Sequence, residues 1–140
     1  MILLDTNVVS EVLQGSQDSS VRTWFNRQRI EDLFLCTPVL AELRFGIERL
    51  PAGRRRSGLE NVIREFERIV LPNHILSLDR DCAYAYGRAM AYRQQIGRPI
   101  SVMDALIASV AIVNGASLAT RDVAGFDHLG LDLVNPFARA

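Results

Sequence analysis

Two aspartates each follow a short apolar run that has the character of a buried strand. Asp5 comes directly after Ile2–Leu4, and Asp122 follows Ser117–Ala119 within the segment LATRD. If both runs are parallel strands of one sheet, their carboxyl ends lie at the same edge, where an acid can reach a ligand. The alternatives are structural, because aspartate also caps helices and occupies turns.

Two further acids lie in segments that should form helices. Glu42 falls at the edge of an apolar stripe, where a carboxylate is costly to bury without a partner such as Arg49. Asp104 is the only charged residue in the apolar segment 102–113, which is typical of a buried helix. The spacing of Ser101 and Asp104 also suits a capping box, which explains the acid in part.

We expect one cleft to contain all four acids, Asp5, Glu42, Asp104 and Asp122, and their residue type suggests what they would bind. Carboxylates that share a cleft repel one another, and a hard divalent cation allows them to stay ionised. Ligands that offer only oxygen favour Mg²⁺ or Mn²⁺ over zinc. Such an ion serves phosphoryl chemistry by activating water and stabilising charge on the phosphorus oxygens.

Polar residues flank these acids and could orient them, hold water or touch a phosphate. Helix and turn capping is their alternative role. They are Thr6, Asn7, Ser101 and Thr120.

The elements that must position these residues alternate along the chain. Short apolar strands separated by helices predict an α/β fold with a mainly parallel sheet. Thr37 followed by Pro38 is a typical helix start, with threonine as the N-cap and proline at the first helical position. The patterns predict strands at 2–4, 33–36, 75–78, 117–119 and 131–134, and helices over 6–13, 20–28, 37–50, 55–68, 80–95 and 102–113.

The length and composition limit the kinds of protein that this chain can be. The 140 residues, 49% of them hydrophobic and with zero net charge, predict one globular domain over residues 1–140 and exclude a disordered chain. No segment has the length of a membrane span or the pattern of a signal peptide. Cys36 and Cys82 are too few for a disulfide scaffold, and the expected location is the cytoplasm.

The charge is unevenly distributed. All sixteen basic residues are arginine, and eleven of them lie between residues 43 and 98 together with only six acids. A basic middle segment could guide a polyanion towards an acidic, cation-binding centre. Ordinary solvated helix faces explain the pattern equally well.

Four blocks of the sequence, in order, resemble PIN-domain ribonucleases, and specifically the VapC-type toxins of bacterial toxin–antitoxin systems. The blocks are ILLDTNVVSE at 2–11, TPVLAELRFGIERL at 37–50, SVMDALIASVA at 101–111 and LATRDVAGFDHLGLDLVNPF at 118–137. They span nearly the whole chain, and each is centred on one of the four acids.

The resemblance implies an α/β/α sandwich around a parallel sheet, with the family's acids at Asp5, Glu42, Asp104 and Asp122. It implies Mg²⁺- or Mn²⁺-dependent endonucleolytic hydrolysis of single-stranded RNA (mRNA, tRNA or rRNA). One departure concerns the fourth acid. Many relatives have an aspartate where this chain has Gly125, and Asp122 stands where relatives often have asparagine.

The resemblance also implies partners. They are a VapB-type antitoxin that lays a segment across the cleft, a second copy of the chain in a homodimer, and operator DNA reached only through the antitoxin in a larger assembly. No membrane partner is expected. Two other functions fit the same acids: a non-catalytic module that binds RNA or protein, and a metal-dependent DNA nuclease or phosphatase.

Overall fold

A computed structural model describes residues 1–16, 19–69 and 73–138. Its centre is a sheet of five strands in the order β3-β2-β1-β4-β5, and every neighbouring pair is parallel. The strands are β1 (Ile2–Leu4), β2 (Leu33–Cys36), β3 (Ile75–Leu76), β4 (Ser117–Ala119) and β5 (Leu133–Val134).

Helices flank the sheet and complete an α/β/α sandwich, so the predicted fold class is confirmed. Within the described residues they are α1 (Thr6–Gln14), α2 (Ser20–Arg27), α3 (Thr37–Glu48), α4 (Arg54–Ile69), α5 (Arg80–Gln95), α6 (Val102–Asn114) and α7 (Val123–Phe126), with a 3₁₀ turn at Ile30–Asp32. The last helix and the 3₁₀ turn were not predicted, and the strands predicted at 75–78 and 131–134 are shorter than expected.

Local sequence explains where the helices begin and end. The Ser101 hydroxyl accepts a hydrogen bond from the Asp104 N–H at 3.1 Å and caps α6. Gly115 ends the same helix in the left-handed conformation, with φ at 62°. At α3 the structure shifts the predicted cap by one residue, because Thr37 is already helical and Cys36 is the cap.

The core lies between the sheet and its helices. Leu3, Leu4, Leu35 and Leu118 of the strands are buried, as are six of the thirteen residues of α6, all between Ala105 and Ala111. The prediction that α6 is buried is therefore confirmed for its middle, whereas Val102 and Val113 near its ends are exposed. No helix in the described ranges is long and apolar enough to cross a membrane.

The order of the strands creates a crevice at one sheet edge. From β1 the chain continues to β2 on one side, whereas β4 pairs with β1 on the other side. In open parallel sheets, ligands bind beyond the carboxyl ends of the strands at such a reversal. The residues that follow β1 and β4 therefore lie where ligands bind in α/β proteins.

Candidate functional site

The strand register places Asp5 beside Thr120. Leu4 pairs with Ala119, and the next residue on each strand lies at the carboxyl edge. The Thr120 hydroxyl donates to Asp5 Oδ2 at 2.7 Å, and the Thr6 N–H donates to Asp5 Oδ1 at 2.8 Å. Asp5 is only 5% exposed, so both of its oxygens are held in a defined orientation.

Glu42 reaches the same edge from α3. The Thr6 hydroxyl donates to Glu42 Oε1 at 2.5 Å, which joins the first turn of α1 to α3. Among the residues described, Arg49 makes no ion pair with Glu42, and its guanidinium lies 5.2 Å from the centre of the Phe45 ring. The alternative that Glu42 pairs with Arg49 is therefore not seen among the described residues.

Asp104 is half-buried near the start of α6. Burial is the main cause that raises the pKa of its carboxyl, and the charges of Asp122 and Glu42 raise it further. The Ser101 hydroxyl and the charge of Arg93 act in the opposite direction. The carboxylate therefore lies within electrostatic reach of two other acids.

The pKa of Asp5 is raised in the same way. Burial has the largest effect, the hydrogen bonds from Thr120 and Thr6 oppose it, and the charges of Asp104 and Glu42 add to it. Asp5, Glu42, Asp104 and Asp122 are thus linked by mutual repulsion, although they come from distant parts of the sequence.

Asp122 caps the short helix α7. Its Oδ1 accepts from the Gly125 N–H at 3.0 Å, and its own N–H donates to Thr120 Oγ1 at 3.0 Å. A Cβ at position 125 would collide with the Asp122 carboxylate. The glycine that departs from the family pattern therefore leaves the space that this carboxylate occupies.

The four flanking residues divide into two groups. Thr6, Asn7 and Thr120 bond to the acids, with Asn7 Nδ2 donating to Asp5 Oδ2 at 3.4 Å. Ser101 instead caps α6, and its hydroxyl accepts from the backbone N–H of Asp104.

The donor set has the chemistry of a site for a hard divalent cation. Its side chains offer carboxylate and hydroxyl oxygens. Burial and, to a smaller extent, mutual repulsion raise the pKa of Asp5 and Asp104, and a bound cation would favour their ionised forms. In the conformation seen for residues 1–16, 19–69 and 73–138, no three His, Cys, Asp or Glu side chains are close enough to hold one ion. The acids are neighbours that would have to draw together around an ion.

Arg93 was missed at the sequence level. It is 3% exposed, its Nε donates to the Arg98 carbonyl at 2.6 Å, and its Nη1 donates to the carbonyls of Gly125 and Asp127 at 2.9 and 3.0 Å. Its spacing from the buried Ala89, four residues earlier on α5, is the signal that places it inward. Arg93 therefore fixes the loop that carries the fourth acid.

Asp127 belongs to this anchor. Its Oδ2 lies 2.9 Å from Arg98 Nη2, and its Oδ1 lies 3.6 Å from Arg93 Nη1. Cys36 ends β2 beside the site, and burial raises the pKa of its thiol to about 12. That thiol stays protonated, and both cysteines are buried free thiols.

Comparisons with known proteins agree with the fold. The chain is 39% identical to VapC ribonuclease Y4jK of Sinorhizobium fredii, with all of both chains covered. It is 34% identical to toxin FitB of Neisseria gonorrhoeae over 98% of this chain and 99% of that one. A solved structure of FitAB bound to an IR36 DNA fragment superposes with a TM-score of 0.93 at 30% identity, covering 100% of this chain and 98% of the other.

The match extends to a defined family. The sequence model of the PIN domain family matches residues 2–130. This range includes all four acids and the strands β1 to β4. The chain therefore belongs to the PIN domain family.

Proposed function

We propose that this chain is an endoribonuclease that hydrolyses single-stranded RNA with the help of Mg²⁺ or Mn²⁺, and that it is the toxin of a toxin–antitoxin pair. The observation that carries the proposal is the buried Asp5 at the carboxyl edge of β1, held by Thr120 and Thr6 and repelled by Glu42 and Asp104. A protein gains nothing in stability from such a group of acids, so we infer that a ligand requires them.

The names of relatives support the class of reaction. One relative at 39% identity is described as a ribonuclease and another at 34% as a toxin, and both align over nearly their full length. Because the four acids of this chain fall within the matched family region, we place the reaction there. The cytoplasm, where RNA substrates are abundant, is the proposed location.

In the proposed mechanism Asp5, Glu42 and Asp104 would hold the cation, and Asp122 would support it from the loop after β4. The cation would supply charge neutralisation at the phosphate and make water a better nucleophile. Water attacks phosphorus in line and the bond from phosphorus to the 3′-oxygen breaks. The water loses a proton and the 3′-oxygen takes one up, so the products carry a 5′-phosphate and a 3′-hydroxyl. This route does not use the 2′-hydroxyl of RNA, so the preference for RNA must come from binding contacts.

The remaining residues act by orienting these acids. Thr120 fixes Asp5 Oδ2 through its hydroxyl and holds the backbone of Asp122 with the same oxygen. Thr6 fixes Asp5 through its N–H and Glu42 through its hydroxyl. The carboxylates of Asp5 and Glu42 thus each keep at least one oxygen in a set direction before substrate arrives.

The proposed partners follow from the same relatives. A solved neighbour at 30% identity is a FitAB complex with DNA, and another at 32% is FitAcB of Neisseria gonorrhoeae. We propose that a VapB-type antitoxin neutralises this chain by covering the cleft, and that the chain forms a homodimer within a larger assembly. DNA would be bound through the antitoxin.

The decisive experiment measures cleavage by purified protein freed of any partner. The substrates are labelled single-stranded RNA of several sequences, single-stranded DNA and a phosphomonoester, each with Mg²⁺, with Mn²⁺ and with EDTA. Asp104→Asn is compared with Asp81→Asn, which removes the same charge from an exposed position in α5. Loss of a metal-holding carboxylate should reduce the rate at least about 100-fold, while the Asp81 variant should match the unaltered protein.

Circular dichroism establishes that both variants are folded. Cleavage of RNA that persists in EDTA, or in a folded Asp104→Asn protein, would overturn the assigned site. Cleavage confined to DNA or the phosphomonoester would replace the substrate class. A folded protein that cuts none of the substrates with either metal would favour a binding module.

A further inference from the structure

Arg121 lies at the rim of the proposed cleft, between Thr120 and Asp122. Its backbone N–H donates to Asn7 Oδ1 at 3.3 Å, and Asn7 Nδ2 donates to Asp5 Oδ2 at 3.4 Å. One carboxamide therefore connects the backbone of Arg121 to the buried carboxylate. As a result, Arg121 has a fixed position relative to Asp5.

The guanidinium of Arg121 is held by an aromatic ring. Its Cζ lies 3.9 Å from the centre of the Phe137 ring, while the residue as a whole is exposed. Phe137 is itself half-buried, and its N–H donates to Asn135 Oδ1 at 3.0 Å. Stacking fixes the plane of the guanidinium but leaves the N–H donors at its edge free to bind a ligand.

The charge of Arg121 is not cancelled by an acid. Within residues 1–16, 19–69 and 73–138 it forms no ion pair, whereas five arginines of the basic middle segment do. Those five are Arg44, Arg56, Arg68, Arg93 and Arg98.

Arg121 also lines a polar hollow whose other walls come from α1 and the residue that ends it. The hollow is formed with Asn7, Ser10, Glu11, Gln14 and Gly15. Four carboxylates repel an approaching phosphodiester, and an arginine that stands directly between Thr120 and Asp122 in the chain would supply a compensating attraction.

We propose that Arg121 binds a backbone phosphate of single-stranded RNA adjacent to the one that is cleaved, with two N–H donors on its nonbridging oxygens. This inference rests on the proposed function and assigns one of its binding contacts. Phe137 is the positioning residue in this arrangement, because it orients the guanidinium without contacting the RNA.

The test measures binding and cleavage in parallel. Binding uses fluorescence anisotropy of a fluorescein-labelled RNA dodecamer of mixed sequence, with Asp104→Asn as the background so that the probe stays intact. Arg121→Ala, Arg121→Lys and Phe137→Leu are compared over a series of NaCl concentrations. Arg88→Ala is the matched control, since it removes an exposed arginine from α5.

The same four substitutions are also made in the otherwise unaltered protein, and kcat and KM are measured on a cleavable RNA. Arg121→Ala should weaken binding roughly tenfold and lower the slope of log K against log salt by about 0.7, the value for one phosphate contact on a single strand. KM should rise more than kcat falls. Arg121→Lys should keep the slope, and Phe137→Leu should weaken binding less than Arg121→Ala.

Three outcomes would overturn the proposal, and they differ in what else they affect. If the unaltered protein cleaves RNA but Arg121→Ala leaves the affinity, slope and KM unchanged, the inference fails and the proposed function stands. If Arg121→Ala weakens binding with an unchanged slope, the contact is to a base and not to a phosphate. If the unaltered protein neither binds nor cleaves RNA, the proposed function fails and the inference fails with it.

Discussion

Asp104 is a residue whose ionised form is disfavoured by the folded protein. Burial first, and then the charges of Asp122 and Glu42, raise the pKa of its carboxyl above the ordinary value of 3.8. The folded state therefore binds this proton more tightly than the unfolded state does. Stability falls as pH rises from 3.8 through the raised pKa.

Asp104→Asn should therefore stabilise the protein at neutral pH when no divalent cation is present. We expect the Tm in EDTA at pH 7 to rise by about 2 °C or more, because asparagine carries no charge to be repelled. The gain should disappear below pH 3.8, where the aspartate is protonated in both states. Differential scanning calorimetry of Asp104→Asn and Asp81→Asn across this pH range is the measurement. An equal gain for both variants would contradict the explanation.

The hydroxyl of Thr120 makes two hydrogen bonds. It is fully buried, donates to Asp5 Oδ2 and accepts from the Asp122 N–H. Thr120→Val keeps the shape but removes both bonds, so the Asp122 N–H loses its partner and Asp5 Oδ2 keeps only the longer bond from Asn7. This change should cost about 1–3 kcal/mol in the free energy of unfolding. The rate of RNA cleavage should fall about 10- to 100-fold.

Urea unfolding and single-turnover cleavage measure these two effects of Thr120→Val. Thr120→Ser is the matched control, because it retains the hydroxyl and should keep most of the activity. If the valine variant cleaved RNA as fast as the serine variant, the orienting role of the hydroxyl would be excluded.

At the scale of elements, α7 depends on an anchor from α5. The buried Arg93 donates to the carbonyls of Gly125 and Asp127 and, through Nε, to that of Arg98. Arg93→Met fills similar space but leaves these three carbonyls without their donor and Asp127 with Arg98 as its remaining arginine partner. The expected cost is about 3 kcal/mol in unfolding free energy. Cleavage should also slow, because α7 carries Asp122 at its cap.

Urea unfolding followed by circular dichroism checks the Arg93→Met prediction. Arg88→Met, from the exposed side of the same helix, should change stability by no more than about 0.5 kcal/mol. Equal stabilities of the two variants would show that the anchor contributes nothing.

Elements with a periodic pattern or a defined cap were predictable from the sequence, and the remainder were not. The run before Asp5, the cap at Ser101 and the apolar α6 each have a local signal that the structure matches. A four-residue helix such as α7 is too short to show a helical period. The role of Arg93 depends on backbone carbonyl groups that are distant in the sequence. Since every residue has such a carbonyl, the sequence does not indicate which ones Arg93 binds.

The same limit applies to the candidate site. Strand ends and buried helices single out the four acids by type and position. Which of the flanking polar residues bonds to an acid follows from the register of β1 with β4, as with Thr120, or from the packing of α1 on α3, as with Thr6. Neither the register nor the packing is encoded in a short segment.

Over the whole molecule, the basic middle segment is less positive than its sequence suggests. Arg44 and Arg56 pair with Glu48 and Glu60, and Arg68 pairs with Glu65. Exposed pairs of this kind stabilise a fold by about 0–1 kcal/mol each. Their effect here is mainly on the surface field, since a paired arginine attracts RNA less than an unpaired one.

The acids at positions 5, 42, 104 and 122 join segments far apart in the chain, so a cation bound there would stabilise the whole fold. At a Mg²⁺ concentration about ten times its Kd, the gain should be about 1.4 kcal/mol, because only the folded state brings these acids together. Thermal unfolding in MgCl₂, against NaCl of equal ionic strength, measures it. Asp81→Asn should respond like the unaltered protein, and Asp5→Asn should not. A Tm that is insensitive to both Mg²⁺ and Mn²⁺ would rule out the cation site, whatever the activity of the protein.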